Sequence, residues 1–174
     1  MAAPELRDRL QPALIDRLTD DAPAQRTEPE TRRVMSKSQL RQAVLRDLGW
    51  LFNATQPQPQ WISTHPLLAG SVLNFGLPPL SGQRLSKLDV GQLERTLRQA
   101  ILRFEPRILP ETLTVRALEA SSVLDTHNMI EFEIHGHLWA QPVPLEILLR
   151  TRMDLEAGEV EVRDASAVSP AREG

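Results

Sequence analysis

An α+β fold, with helices in the N-terminal half packed on one face of a mainly antiparallel sheet formed by the C-terminal half, is predicted by three features of the sequence. Apolar residues recur at helical spacing in segments 36–53 and 89–104, they alternate at period two beyond residue 111, and Pro106 stands between the two regimes. Helices grouped first and strands grouped second do not supply the alternating units of a parallel sheet. They segregate instead into a helical layer over an antiparallel one.

Residues 1–35 carry Pro4, Pro12, Pro23 and Pro29 among many charges, too polar and interrupted to bury much surface, and read as a mobile arm. One apolar island breaks it at 14–21, Leu14-Ile15-Asp16-Arg17-Leu18-Thr19-Asp20-Asp21, with Leu14 and Leu18 on one side of a short helical turn. Two readings stay open for this segment: a helix docked on its own domain, or an anchor peptide that orders on a partner.

The domain proper spans 36–164. Ser36 and Gln39 form a capping box for a helix whose apolar face is Leu40, Val44, Leu48 and Leu51. A loop rich in proline and glutamine follows at 55–60. Pro66 then opens a short helix over 67–75, which Gly76 closes in a left-handed cap and Pro78-Pro79 forbid from continuing. After a loop at 82–88, Asp89 caps a strongly amphipathic helix with Val90, Leu93, Leu97, Ala100, Ile101 and Phe104 on one stripe, Gln92 completing its capping box. Pro106 pushes Glu105 out of the helical region, so the helix ends there.

Beyond that corner, segments 112–118 and 129–139 alternate, the second burying Ile130, Phe132, Ile134 and Leu138. Pro142-Val143-Pro144 leads into a strand at 145–155, which turns through Glu156-Ala157-Gly158-Glu159 into 160–163 as an antiparallel hairpin. Residues 165–174 lose the pattern and read as a frayed tail.

With 174 residues the chain is long enough for one domain with a substantial core, and short of two ordinary ones. The absence of cysteine excludes disulfide scaffolds and thiolate metal sites. A net charge of −3 and a pI near 5.8 argue against nucleic acid as the main partner. Nothing approaches the roughly 18 apolar residues of a membrane span, and the acidic start is unlike a signal peptide. The expectation is a cytoplasmic, soluble protein.

Glu105-Pro106-Arg107 is the most distinctive tripeptide. It sets a carboxylate and a planar five-donor guanidinium on a proline-stiffened bend, suited to carboxylates or helix-end carbonyls of a neighbour. That role requires the bend to lie at the surface, with its charges not wholly consumed inside the domain. Arg41, Arg46, Arg95, Arg98 and Arg103 line the polar sides of the two helices. Singly they read as solvated faces; with Arg107 they would form a cationic surface for acidic helices.

Other chemistry finds little support. Glu131, Glu133, His135 and His137 share one side of a strand, about 6.7 Å apart in succession, within reach of a common metal ion. The polar face of a half-buried strand produces the same alternation without a ligand, so no metal site is assigned. His65 and His127 read as surface residues. Glycoside hydrolysis needs two acids flanking a cleft, and only Glu105 has a distinctive setting, beside an arginine that favours its charged form. No nucleophile elbow, phosphate-binding glycine loop or metal-ligand helix motif occurs. No catalytic residue and no cofactor is expected.

Three blocks carry a resemblance: Leu14-Ile15-Asp16-Arg17-Leu18-Thr19-Asp20-Asp21, Ser71-Val72-Leu73-Asn74-Phe75-Gly76-Leu77-Pro78, and Phe104-Glu105-Pro106-Arg107. In order and spacing they resemble the TssE family of type VI secretion baseplate subunits, part of a wider group of phage baseplate wedge proteins once labelled lysozyme-like. The resemblance implies a non-enzymatic subunit at the membrane-proximal baseplate, linking the helical core bundle of the wedge to the contractile sheath and nucleating its assembly. It implies other wedge subunits (TssF, TssG and TssK-like) and sheath subunits as partners, with no nucleic acid, membrane insertion or small-molecule substrate. It assigns Glu105, Pro106 and Arg107 to wedge binding, with Leu14, Asp16, Arg17 and Leu18 of the arm as a second contact, and an open sheet edge to sheath strands. The alternatives are a regulatory anti-adaptor of the same fold and a cell-wall hydrolase.

Overall fold

The computed structural model describes residues 12–19, 24, 35–57, 64–79, 89–118 and 129–166. Most of the arm, Asp20 and Asp21, the loops at 58–60 and 82–88, His127 and the tail beyond Ser166 lie outside these residues.

Among the described residues three α-helices precede four strands: α1 (Leu14–Leu18), α2 (Lys37–Asn53), α3 (Val90–Phe104), β1 (Thr114–Ala117), β2 (Met129–Leu138), β3 (Leu145–Asp154) and β4 (Val160–Asp164). The strands form one antiparallel sheet in the order β1-β2-β3-β4. α2 lies against β4 and α3 against β1, so the helices cover one face of the sheet along its two margins. This is the helix-on-sheet arrangement that the switch in period predicts.

Local chemistry explains each helix boundary. Ser36 Oγ accepts from Gln39 N–H at 3.2 Å while Gln39 Oε1 accepts from Ser36 N–H at 2.9 Å, the reciprocal box that starts α2. Asp89 Oδ1 accepts from Gln92 N–H at 2.9 Å, but the Gln92 side chain turns to Arg95, so only half of the second box forms. α2 buries its stripe and α3 buries Leu93, Leu97, Ala100 and Ile101 of its own, with Val90 exposed and Phe104 half-buried; Leu48, Leu51, Leu97 and Ile101 share one core with Phe132, Ile134 and Leu138 of β2. Each such side chain contributes on the order of 1.5–3 kcal/mol by leaving water.

The connector between α2 and α3 departs from the sequence reading. In place of one helix over 67–75 there are two short 3₁₀ segments, Pro66–Gly70 and Val72–Asn74, broken at Ser71, whose backbone is extended (φ −87°, ψ 162°). So few residues cannot repay helix nucleation, and the tighter turns satisfy the backbone locally. Gly76 does have positive φ, +124°. A Cβ there would stand 2.4 Å from the Ala54 carbonyl oxygen, and that oxygen accepts from Leu77 N–H at 2.9 Å. The glycine thus lets the connector close against the end of α2.

Both sheet margins carry polar stoppers. The carboxamide of Asn53 brackets Val160, its Oδ1 accepting the backbone N–H at 2.9 Å and its Nδ2 donating to the carbonyl at 2.8 Å. On the other margin Glu94 of α3 accepts Ala117 N–H at 2.7 Å. The chain stays tied to the sheet past Asp164: Ala165 is buried, donates to Leu148 O at 2.8 Å, and is followed by Ser166 hydrogen-bonded to Asp164.

Candidate functional site

α3 stops where the proline dictates. Glu105 caps it with non-helical torsions (φ −121°, ψ 77°), still donating its N–H to Ile101 O at 2.8 Å. The next turn closes through Ile108 N–H to Glu105 O at 3.2 Å. Two further bonds fix the bend to the end of β2: Trp139 N–H to Arg107 O and Leu109 N–H to His137 O, both 2.8 Å. The corner is therefore held by backbone on both sides, which is what a rigid presenting element needs.

Its charges are placed asymmetrically. Glu105 is only 3% exposed, Arg107 retains 26% of its side-chain surface and Pro106 is exposed. Arg107 donates to the Glu105 carboxylate through Nε at 2.6 Å and through Nη2, and Nη2 also reaches Asp47 Oδ2 at 2.5 Å. Burial works against the Arg107 cation, but Glu105 and then Asp47 outweigh it and hold its pKa above the ordinary arginine range. The bend is at the surface, as the sequence reading requires, yet the Glu105 charge is spent internally. Pro106 and Arg107 are the groups a neighbour can touch.

The ion pairs extend further. The second oxygen of Asp47 accepts from Arg46 Nε at 2.9 Å, and Arg46 Nη1 donates to Asp16 of α1 at 2.5 Å. These bonds, Asp16 first, raise the Arg46 pKa. The Arg46 guanidinium also sits 5.1 Å from the centre of the Trp50 ring. An alternating chain Asp16, Arg46, Asp47, Arg107, Glu105 thus runs from the arm across α2 to the corner. Three carboxylates face two guanidiniums, so the chain is not a cationic surface.

Beside it lies a groove of about 490 Å³ walled by Met35, Trp50, Phe75, Phe104 and Pro106, with Ala13 at its lip. Phe75 and Phe104 meet edge to face, 5.4 Å between ring centres. Of the arm residues singled out from the sequence, Asp16 faces this network, whereas Leu14 (73% exposed) and Leu18 (75%) face away and Arg17 is exposed. α1 is thus tied to α2 through Asp16 while its leucines stay exposed. Of the other helix arginines, Arg41 goes to Asp164 and the Glu146 carbonyl, Arg98 to Leu113 O and Arg95 to Gln92, while Arg103 is exposed.

The described histidines do not converge on an ion site. His135 Nε2 lies 2.9 Å from Glu146 Oε1, which holds the Glu146 pKa low, and its ring meets that of His137 edge-on at 5.9 Å. Among the described residues no group of three or more His, Asp or Glu side chains is placed to hold a metal. His65 is exposed, its Nδ1 2.9 Å from Thr64 Oγ1.

Helices confined to one face of a small antiparallel sheet, a backbone-locked charged bend and a largely apolar groove beside it make up the candidate site. The sequence model of the family described as baseplate wedge protein gp25 matches residues 38–143, from the start of α2 to the connector before β3. The chain belongs to that family, which includes the TssE subunits it resembles. No curated protein and no solved structure gives a significant match. No helix among the described residues is long and apolar enough to cross a membrane.

Proposed function

We propose that this chain is a non-enzymatic, TssE-like subunit of the type VI secretion baseplate wedge, placed at the cytoplasmic, membrane-proximal baseplate, where it joins the helical core bundle of the wedge to the contractile sheath and nucleates sheath assembly. The observation that carries the reading is the corner at Pro106 and Arg107, fixed by backbone bonds to β2 and flanked by an apolar groove. The corner grips other wedge subunits, and Leu14, Arg17 and Leu18 of α1 add a second contact. Glu105, the one acid with a distinctive setting in the sequence, is buried against Arg107, which supports a non-enzymatic reading.

Sheath strands join at the margin formed by β4. Asn53 occupies the outward backbone groups of Val160, and the alternation of an antiparallel ladder turns those of Val162 and Asp164 the same way. On the β1 side, side chains of α3 crowd the margin.

The test is capture of wedge subunits by tagged chain from its native cytoplasm. Arg107→Lys keeps the charge that Glu105 needs but removes the fork, and combining it with Pro106→Ala is expected to abolish capture while the far-UV spectrum stays unchanged. Undiminished capture by that folded double variant would exclude the corner as the wedge contact.

A further inference from the structure

The corner and the arm are far apart in sequence, and the structure joins them through one carboxylate. Asp47 holds Arg107 with Oδ2 and Arg46 with Oδ1, and Arg46 is in turn held by Asp16. Glu105 holds Arg107 from its own turn, and among the described ion pairs Asp47 is its one link to α2, so Asp47 is the group through which α2 helps direct the guanidinium. Asp47 is itself pulled between two cations, so loss of the Asp16 bond lets Arg46 swing toward it and compete for the oxygen that Arg107 uses.

We infer that Asp47 is a positioning residue for Arg107 and that Asp16 sets its hold, so that the arm and the corner act as a single coupled docking element; this rests on the reading of the corner as the wedge contact. The surface is continuous as well as wired. Ala13 lines the groove that Pro106 and Arg107 also line, and Trp50, 50% exposed, stacks with the arginine that carries the connection. A partner that engages the outward Leu14 and Leu18 therefore acts on the chain of charges that orients Arg107. By linkage, occupation of the corner stabilises the docked arm to the same degree.

The free full-length protein suffices for the test. Arginine Nε–Hε resonances are followed in the unaltered chain and in Asp16→Asn, Asp47→Asn and Asp164→Asn, the last removing a charge outside the network, at the partner of Arg41. Asp16→Asn is expected to shift the Arg46 resonance and to speed solvent exchange of Arg107 Hε several-fold. Asp47→Asn does so more strongly, and Asp164→Asn leaves Arg107 unmoved. Arg46→Lys, which keeps charge but loses the two-sided grip, is expected to reproduce the effect of Asp16→Asn. An Arg107 exchange rate indifferent to both Asp16→Asn and Arg46→Lys overturns the coupling, whether or not Arg46 itself responds. Because no partner enters this measurement, intact coupling alongside failed wedge capture would refute the docking role and leave the positioning of Arg107 standing.

Discussion

Glu105 and Arg107 behave differently although only a proline separates them. The carboxylate is a structural anion inside the domain; the guanidinium spans it and solvent. Replacing Glu105 by alanine leaves a half-buried cation with Asp47 alone, a loss of about 1–3 kcal/mol by the usual cost of an orphaned charged partner. Thermal unfolding should shift down by roughly 3–10 °C, and calorimetry showing no change would mean the pair is not formed in solution. Such a variant tests the fold before it tests docking. Asp47 was legible in principle: it lies seven residues after Leu40, three after Val44 and four before Leu51, so it falls on the apolar side of α2, where an ionised group needs a partner. What the sequence could not reveal is which cation answers it, because Arg107 lies 60 positions away.

At the scale of elements, periodicity located α2, α3 and the sheet strands because each buries a single stripe or face, and burial enforces the spacing. The single helix expected over 67–75 rests on Pro66 and Gly76 and not on a stripe, and Leu67, Val72 and Leu73 are largely exposed. With no core behind them, nothing enforces a helix, and Pro66 with Ser71 decides for short 3₁₀ turns instead. The fastening of β4 was equally invisible, since it depends on the last residue of α2 reaching a backbone 107 positions on. Asn53→Ala removes both bonds to Val160. Amide exchange in β4 should rise at least about fivefold, equivalent to roughly 1 kcal/mol, while β2 stays protected. Equal acceleration in both strands would point to global destabilisation.

For the whole molecule, acid sensitivity tests how the C-terminal strand is secured to α2. Burial alone would raise the Asp164 pKa, but hydrogen bonds from the Ser166 side chain and backbone, with Arg41, outweigh it and lower the value. A depressed carboxylate contributes stability that is fully present above its unfolded pKa, about 3.9, and is lost as pH falls through the folded one. The chain should therefore lose stability progressively below about pH 4, and Asp164→Asn should flatten that acid limb while lowering stability near neutrality. An unchanged acid limb in denaturant titrations would remove Asp164 from the account.

The Asn53 clamp has a consequence for the monomer in a crowded cell. An uncapped strand invites a second copy to stack alongside, and repetition of that contact yields fibres. By filling the outermost backbone pair at the start of β4, one carboxamide shortens the template that copies can exploit, so uncontrolled polymerisation is disfavoured.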